Sequence, residues 1–317
     1  MAFRKPSVNK IGGKFLVYGM EHEGKSWFGL TFPEIAAIDS EVGLSFEEGR
    51  DIEINNKTYN NLVLVDTTAD LDELEENLEA IIDGEVDCKT LLIDSETKFY
   101  NSMDIGATEF EEKKAKQNGK NADVRAKWGR IKQLNMKLQQ AKLTLSSKGI
   151  HIVSTAQATE VKDKEGKVVL GYKPDVHKSL AFDYDVILRF YTVLDKKTKE
   201  RKFYCEVEKD RTHITTKGDV IENATYDIWR EHFEGRGGKP INANFSNDLK
   251  KSISSVMNGA EKSTELAIEI KELIKNSKEH ITEIKGKLDE LSIDIKTLDL
   301  TEVDKLMEIK KFIKSLN

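Results

Sequence analysis

One eight-residue motif constrains the fold of this chain more than any other feature of its sequence. Residues 19–26 match the P-loop pattern G-x-x-x-x-G-K-S. The residues just before the motif, 14–18, are mostly apolar and are typical of a buried strand. A short helix is expected to begin near Lys25 and to end before Pro33, because a residue that precedes a proline disfavours the helical conformation. A strand, a glycine-containing loop and a helix in this order predict an α/β fold that binds a nucleotide.

The residue types of the loop match the chemistry of phosphate binding. Gly19 and Gly24 permit a backbone whose amides point inward, and the following helix adds its positive end. Lys25 is expected to reach the β- and γ-phosphates, and the hydroxyl of Ser26 is expected to bind Mg²⁺. The predicted nucleotide-binding residues are Gly19, Met20, Glu21, His22, Glu23, Gly24, Lys25, Ser26 and Trp27. His22 and Glu23 are also compatible with positions that face solvent.

Short apolar runs alternate with longer helical patterns up to about residue 233. Strands are predicted at residues 14–18, 35–38, 62–65, 90–93 and 149–153, and a late antiparallel hairpin at residues 186–191 and 203–207. Helical patterns occupy residues 70–82 and 123–145. Continuous apolar runs suit parallel strands that are covered on both faces. The alternation therefore predicts a mostly parallel, doubly wound sheet.

A P-loop needs a carboxylate at the end of a neighbouring buried strand to hold the metal ion through water. Asp94 follows the apolar run of residues 90–93 and fits this position. Asp66, which follows the run of residues 62–65, is the alternative. Asp94 has the better apolar run and the more usual distance in sequence from the P-loop. We therefore predict that Ser26 and Asp94 form the magnesium site.

The character of the sequence changes after residue 234. Three glycines and a proline lie within residues 234–240, which indicates a linker. Beyond it, helical spacing replaces the short apolar runs. The predicted organisation is a nucleotide-binding domain at residues 1–234, a glycine-rich linker at 235–246 and a helical, coiled-coil-like tail at 247–317.

The tail carries a heptad pattern. From Ala267 to Leu298, apolar residues recur with three- and four-residue spacing through four heptads, with one polar position at Ser277. A capping-box pattern at residues 301–304 then predicts a last helix that ends near Leu316. The pattern is compatible with a helical hairpin that folds back on its own domain, and equally with self-association or with a protein partner.

The overall charge of the chain hides a segregated distribution. The 317 residues carry 50 Lys and Arg against 56 Asp and Glu, a formal net charge of −6. Residues 38–83 contain 14 acidic and two basic residues, whereas residues 111–148 contain 11 basic and three acidic residues. A basic stretch in an acidic protein is a candidate contact for a polyanion. The alternative is a solvated helix face that the acidic segment balances in three dimensions.

Composition argues against membrane and secreted proteins. No apolar run approaches the roughly 18–20 residues that are needed to span a bilayer. The first six residues lack the apolar segment of a secretory signal peptide. Cys88 and Cys205 are far apart in sequence, and no Cys/His cluster has zinc spacing, so both thiols are expected to be buried and reduced. These features predict a cytoplasmic protein without a membrane partner.

The order of the motifs resembles that of the RecA-like ATPases, and within them the small phage-encoded RecA-like single-strand annealing recombinases. Besides the P-loop, four segments carry the resemblance, which covers roughly residues 12–233. They are residues 38–41 (the strand-end pattern I-D-x-E), 93–95 (a hydrophobic residue followed by D-S), 152–157 (a strand that ends in Gln) and 207–211 (a late strand with basic residues). The resemblance implies a RecA-like P-loop core that binds ATP and Mg²⁺ and hydrolyses ATP.

The resemblance also implies roles for individual residues. Glu41 corresponds to the catalytic glutamate that activates the attacking water, and Asp94 to the Walker B carboxylate. Gln157 corresponds to the residue that senses the γ-phosphate. Lys209 and Arg211 correspond to residues that reach the γ-phosphate of a neighbouring subunit, which implies a homo-oligomer with ATP sites between its subunits.

Single-stranded DNA is the partner that the resemblance implies, in phage recombination or replication through annealing or strand pairing. Residues 100–121 and 159–178 are long and polar, and we predict that both are loops that carry the DNA. The first leads into the basic helix, whose candidate DNA-binding residues are Arg125, Lys127, Trp128, Arg130 and Lys132. Cations would follow the DNA backbone, while Trp128 and Tyr172 would offer surfaces on which bases stack.

Two other functions fit the same sequence. A RecA-fold motor or loader of the helicase type would translocate along DNA or unwind it. A nucleotide-controlled interaction protein would use the P-loop as a switch and the helical tail to bind a protein partner, without any dependence on DNA.

Overall fold

The computed structural model describes residues 5–119 and 121–316. The chain divides into two compact units, the first ending at Ser246 and the second beginning at Asn247. The first unit contains the strands and the P-loop, and the second is helical.

The first unit is built on one large sheet. Its strands are β1 (Lys14–Gly19), β2 (Ile35–Asp39), β3 (Ile52–Ile54), β4 (Lys57–Tyr59), β5 (Leu62–Asp66), β6 (Thr90–Asp94), β7 (His151–Lys162), β8 (Val169–Pro174), β9 (Val186–Leu194), β10 (Arg201–Asp210) and β11 (Val220–Glu222). Nine of these strands form the sheet, in the order β11-β10-β9-β1-β7-β6-β2-β5, with β8 paired to β7. The six strands from β9 to β5 in this order are parallel to their neighbours, and β8, β10 and β11 pair antiparallel. The predicted doubly wound α/β fold is confirmed.

Helices cover the two faces of the sheet. Those of the first unit are α1 (Lys25–Leu30), α2 (Leu71–Asp83), α3 (Glu96–Gln117), α4 (Val124–Ser147), α5 (Leu180–Asp183) and α6 (Asp227–Glu234). The side chains of Asp70 and Asp123 cap the N-termini of α2 and α4 by accepting hydrogen bonds from backbone amides of the first turn. Both helices therefore begin where the sequence patterns predicted.

Most of the continuous apolar runs are explained by a core on each face. The run in the edge strand β5 is an exception, since Val63 is 55% and Leu64 is 47% exposed. Along β1, Leu16 and Tyr18 point into the core under α2, α3 and α4. Phe15 and Val17 point into the opposite core, which α1 and α6 close. Each fully buried side chain of this size contributes about 1.5–3 kcal/mol relative to an exposed position, so a polar residue is disfavoured at any site in such a strand.

Most of the two stretches predicted as DNA-carrying loops is regular secondary structure, so the prediction of loops is wrong, whereas DNA binding there stays a prediction. Residue 120 of the first stretch lies outside the described residues. Residues 100–117 belong to α3, which buries Phe99, Met103 and Ala107 at four-residue spacing. Because this apolar stripe is narrow and most residues of the segment are polar, the sequence pattern did not reveal a helix. In the second stretch, β7 continues to Lys162 and returns as β8, so the segment is a β-hairpin.

The segment predicted as a linker lies against the first unit. Lys10 and Pro240 form a parallel bridge, and Ile241 donates its amide to the carbonyl of Ser147 at 3.0 Å. The hydroxyl of Ser147 donates to the carbonyl of Ala243 at 2.9 Å. Hydrogen bonds thus attach residues 241–243 to the end of α4 and residues 239–240 to Lys10.

The second unit has its own core. It comprises most of α7 (Phe245–Asn276), then α8 (Ile281–Glu290) and α9 (Val303–Leu316), with short 3₁₀ turns between them. Ile270 on α7, Ile284 and Leu288 on α8 and Ile309 on α9 are buried in one cluster. None of the helices in the described residues is long and apolar enough to cross a membrane.

The heptad stripe of the tail does not form one continuous coiled-coil helix. The chain leaves the helical conformation at Ser277, where α7 has ended and a turn leads to α8. Ala267 and Leu298, the two ends of the stripe, are both buried, whereas Ile281 is 38% exposed and Ile295 is 43% exposed. The apolar positions therefore fold against each other within the unit instead of forming a single seam.

Candidate functional site

The P-loop connects β1 to α1 at the carboxyl edge of the parallel strands. Gly24 has a φ of 91°, in the left-handed region where a side chain would be strained. Gly19 has no room for a side chain, since an added Cβ would lie 2.7 Å from the carbonyl oxygen of Phe190. The backbone thus requires glycine at both glycine positions of the motif. The loop ends at the amino terminus of α1, where free amides favour an anion.

Two side chains of the loop are held by its own backbone. The ammonium of Lys25 donates to the carbonyl of Met20 at 2.5 Å, and the carboxylate of Glu23 accepts from the amide of Met20 at 2.5 Å. Burial lowers the pKa of Lys25, while the nearby carboxylates, Asp94 first among them, oppose this shift. The side chain of Glu23 therefore forms a hydrogen bond across the loop, whereas His22 is exposed.

The predicted metal ligands lie in direct contact. The hydroxyl of Ser26 donates to Asp94 Oδ2 at 2.6 Å, and the hydroxyl of Thr155 donates to Asp94 Oδ1. Burial raises the pKa of Asp94, and these two hydrogen bonds oppose the shift. Asp66, the alternative, lies at the end of the edge strand β5, where it is exposed and accepts from the amide of Asn77.

A hydroxyl and a buried carboxylate in contact fit Mg²⁺. This ion commonly takes only one or two protein ligands and completes its shell with water and phosphate oxygens. Among the described residues, no group of three or more His, Cys, Asp or Glu side chains is arranged to hold a metal ion. The donor set of Ser26 and Asp94 therefore suits a metal that arrives together with a nucleotide.

Glu41 lies beside this pair on the loop that follows β2. Its Oε1 accepts from the hydroxyl of Ser95 at 2.8 Å and from the amide of Gln157 at 3.0 Å. The loop is held by Asp39, whose buried carboxylate accepts from the amides of Glu41 at 3.0 Å and Leu44 at 2.8 Å. The catalytic candidate is thus anchored through both its backbone and its side chain.

One cleft of about 1030 Å³ brings most of the predicted site residues together. Its walls include Gly19, Met20, Glu21, His22, Lys25, Ser26, Glu41, Asp94 and Gln157. The remaining P-loop candidates, Glu23, Gly24 and Trp27, line a second cleft of about 690 Å³, together with His22, Lys25 and Ser26. The two clefts therefore adjoin at the P-loop.

Lys209 and Arg211 lie at the end of β10 and just after it. The register pairs Lys209 with Ile187 near the start of β9, whereas Gly19 of the P-loop lies against Phe190 of that strand. The ammonium of Lys209 donates to the carbonyl of Ala181 at 2.8 Å, and Arg211 donates to the carbonyl of Phe182 at 2.9 Å. Neither side chain reaches the P-loop of its own chain.

The candidate DNA-binding residues lie on α4, and acidic residues of α3 neutralise two of them. Lys127 pairs with Asp104 at 3.0 Å, and Arg130 pairs with Glu111 at 3.3 Å. Trp128 is 47% exposed. Arg125 and Lys132 lie on the same helix and are exposed. The charge balance between neighbouring helices thus lowers the cationic character that the sequence count suggests.

Sequence reasoning missed four residues of the site. Ser95 and Thr155 follow or lie within predicted motifs, and their hydroxyl groups beside Asp94 and Glu41 were the available signal. Arg201 and Phe203, which line the second cleft, had no such signal. Their position depends on the antiparallel register of β10 on β9, which no motif reports.

Comparison with known proteins adds a family. Residues 11–218 match the model of a family described as an AAA domain. Among solved structures, a KaiC-like protein from the hyperthermophilic archaeon Pyrococcus horikoshii OT3 is similar, with 15% identity over 67% of this chain and 84% of that one and a TM-score of 0.38. No curated protein matches the chain. Because the family model covers more than half of its residues, this chain belongs to that family of AAA-type P-loop ATPase domains.

Proposed function

We propose that this protein hydrolyses ATP in the first cleft with the help of Mg²⁺. The observation that carries the proposal is the position of Glu41. It lines the same cleft as Lys25 and the Ser26–Asp94 pair, but it is neither a P-loop residue nor one of the two candidate metal ligands. A P-loop with a metal-binding carboxylate holds a nucleotide, and a further carboxylate at the γ-phosphate end activates water.

Binding depends on the loop and the first turn of α1. The backbone amides around Gly24 surround phosphate oxygens, and the ammonium of Lys25 adds a positive charge. Ser26 and Asp94 would hold the metal, Ser26 directly and Asp94 through water. Bound Mg²⁺ neutralises charge that develops on the β- and γ-phosphates.

Hydrolysis depends on Glu41. Its Oε1 already accepts two hydrogen bonds, so Oε2 is the oxygen left to take a proton from water. The water oxygen then bonds to the γ-phosphorus as the bond to the β–γ bridging oxygen breaks, which yields ADP and phosphate. The side-chain amide of Gln157 donates a hydrogen bond to Glu41, so loss of the γ-phosphate beside Glu41 would change the surroundings of Gln157.

The test is turnover in Glu41→Gln. We expect ATP affinity to stay close to that of the wild type, while the turnover number falls roughly 100-fold or more, the usual contribution of a general base. Lys25→Ala should lose nucleotide binding, and EDTA should abolish turnover. Asp66→Asn is the matched control, since it changes an exposed strand-end acid outside the cleft, and its rate should be unaffected. Retention of at least half of the wild-type rate in Glu41→Gln would contradict the assignment.

We further propose that the ATPase acts on single-stranded DNA, in recombination or replication. The supporting observation is the exposed indole of Trp128 on α4, with the ammonium of Lys127 5.1 Å from its ring centre. Cations beside an aromatic platform suit single strands. Because Lys127 and Arg130 form ion pairs with α3, Arg125 and Lys132 would carry more of the contact.

Turnover with and without single-stranded DNA tests this second proposal. Stimulation that is lost in the charge reversal Arg125→Glu with Lys132→Glu, and that weakens steeply with salt, is expected. Unwinding of a duplex would instead indicate a helicase-type motor. Turnover that is indifferent to DNA would contradict the proposal and favour a nucleotide-controlled switch that uses residues 247–317 to bind a protein partner.

A further inference from the structure

The second cleft contains features that phosphate binding does not explain. It shares His22, Lys25 and Ser26 with the first cleft, whereas Glu41 and Asp94 line only the first. A smaller pocket of about 230 Å³ opens beside it, and the two share Gly24, Trp27 and Phe203. Most of the accessible lining of both cavities is apolar, although they adjoin the P-loop.

Two aromatic rings form a ledge at the junction of these cavities. Trp27 follows the metal-binding Ser26 directly, and its indole is 44% exposed. Phe203 approaches it from β10, with ring centres 6.5 Å apart and planes inclined by 29°. Phe203 also packs on the loop itself, since a Cβ added to Gly24 would lie 3.3 Å from its ring.

The ledge has a defined orientation. The indole nitrogen of Trp27 donates to the carboxylate of Glu47 at 3.3 Å, which fixes the plane of the ring. An exposed tryptophan that is held in place and not buried leaves one aromatic face available. Aromatic faces of this kind bind the faces of nucleobases.

The two clefts correspond to the two ends of a nucleotide. The amides at the start of α1 hold the phosphates between them. Glu41 and Asp94 lie on the side where the γ-phosphate and metal belong, so the α-phosphate, ribose and base extend toward the other side. We infer that the base of the bound nucleotide stacks on Trp27 and Phe203, an inference that rests on the proposed ATPase function.

The smaller pocket offers hydrogen-bond acceptors to the edge of a base. Glu53 is among the residues that line it, and a carboxylate only accepts hydrogen bonds. Asn55, which also lines it, donates its amide NH₂ group to the carbonyl of Asn223 at 3.0 Å and keeps its Oδ1 as an acceptor. The amino and N–H groups at the edge of a purine are donors that match such acceptors.

Sequence and turn geometry explain why these acceptors reach the pocket. Asn55 and Asn56 connect β3 and β4 with φ values of 53° and 59°, a left-handed pair typical of a tight hairpin turn. Ile52 at the start of β3 is buried against the core, which fixes the hairpin to the sheet. The small hairpin thus carries Glu53 and Asn55 to the pocket as one rigid piece.

Paired titrations with ATP and with inorganic tripolyphosphate, both with Mg²⁺, test the inference. Trp27→Ala should weaken ATP binding by roughly 5- to 150-fold, the range of a single stacking contact. Tripolyphosphate has no base, so its affinity should not change. Trp27→Phe should restore most of the ATP affinity, and Phe110→Ala, which removes a ring of similar exposure on α3, should change neither ligand.

The outcomes separate this inference from the function on which it rests. Lys25→Ala should lose both ligands, and a wild type that binds neither would overturn the ATPase proposal and the base site together. Equal losses of ATP and tripolyphosphate in Trp27→Ala, or no loss of ATP, would overturn the base site alone.

A separate variant tests the role of the pocket lining. Glu53→Ala should weaken ATP binding and leave tripolyphosphate binding unchanged. An unchanged ATP affinity in Glu53→Ala would overturn the role of Glu53 at the edge of the base.

Discussion

His151 is a buried side chain whose protonation differs strongly between the folded and unfolded chain. It lies at the start of β7, where its Nδ1 accepts from the amide of Gly13 at 3.0 Å and its Nε2 lies 3.0 Å from the hydroxyl of Tyr226. Burial lowers the pKa of His151 to about 3, and the charges of Lys10 and Arg230 act in the same direction. A proton on Nδ1 would remove the bond to Gly13, at the base of the strand that carries the P-loop.

This depressed pKa predicts acid sensitivity. The unfolded chain takes up the proton near pH 6.5 and the folded chain only near pH 3, so His151 stabilises the fold above pH 6.5 and this contribution is lost as pH falls between these values. The slope is about 1.4 kcal/mol per pH unit. Urea unfolding at pH 6 and pH 4 should show a smaller pH dependence in His151→Gln than in the wild type. Identical slopes would contradict the buried neutral state.

Lys142 shows why residue-level chemistry is only partly readable from sequence. It counts among the 11 bases of residues 111–148. In the fold it is 2% exposed and donates to both oxygens of Glu96, at 2.7 Å and 2.6 Å. A buried charge needs such a partner, and the partner here comes from a different helix. The sequence shows the charge of a side chain, but it does not show which element of the fold packs against that side chain.

Among the elements, α3 differs most from its sequence-based interpretation. Met103 lies in its narrow buried stripe and is 3% exposed, whereas Ile105, two residues later, is 60% exposed. Met103→Ala should therefore destabilise the protein by about 2–5 kcal/mol. Ile105→Ala, an equally apolar change, should stay within about 0.5 kcal/mol, as for surface positions. Chemical denaturation of both variants is the measurement, and similar losses would contradict the assigned face.

The strands were easier to predict than α3 because burial on both faces leaves a continuous apolar signal. The boundaries of β2 and β6 lie within one residue of the predicted runs. The start of β7 was predicted as well, but its outer half leaves the covered part of the sheet and becomes polar, so the hairpin with β8 was taken for a loop. The pattern of apolar residues shows which parts of a strand are buried under neighbouring elements. It therefore does not predict the part of a strand that extends beyond those elements.

At the scale of the whole molecule, we propose that Lys209 and Arg211 act on the nucleotide of a neighbouring subunit. Their side chains donate to the carbonyls of Ala181 and Phe182 and do not reach the P-loop of their own chain. From a neighbouring subunit they would stabilise charge in the transition state.

Mixing two inactive variants tests such an assembly. Glu41→Gln keeps the two cations, and the double variant Lys209→Ala with Arg211→Ala keeps Glu41. In a mixed oligomer some interfaces combine an intact Glu41 with intact cations from the neighbour, so turnover of the mixture should exceed the sum of the separate variants. Simple additivity over a range of protein concentrations would argue against sites between subunits.

The strand order β1-β7-β6-β2 also sets the distances between the candidate site residues. It places the P-loop, Gln157, Asp94 and Glu41 in a row, and with about 4.8 Å between strands the row spans about 14 Å. Backbone hydrogen bonds between the strands set these intervals. Segments that lead away from the site, such as residues 67–89 between β5 and β6, do not set them. A change of length in such a segment would therefore leave the spacing of the P-loop, Gln157, Asp94 and Glu41 unchanged.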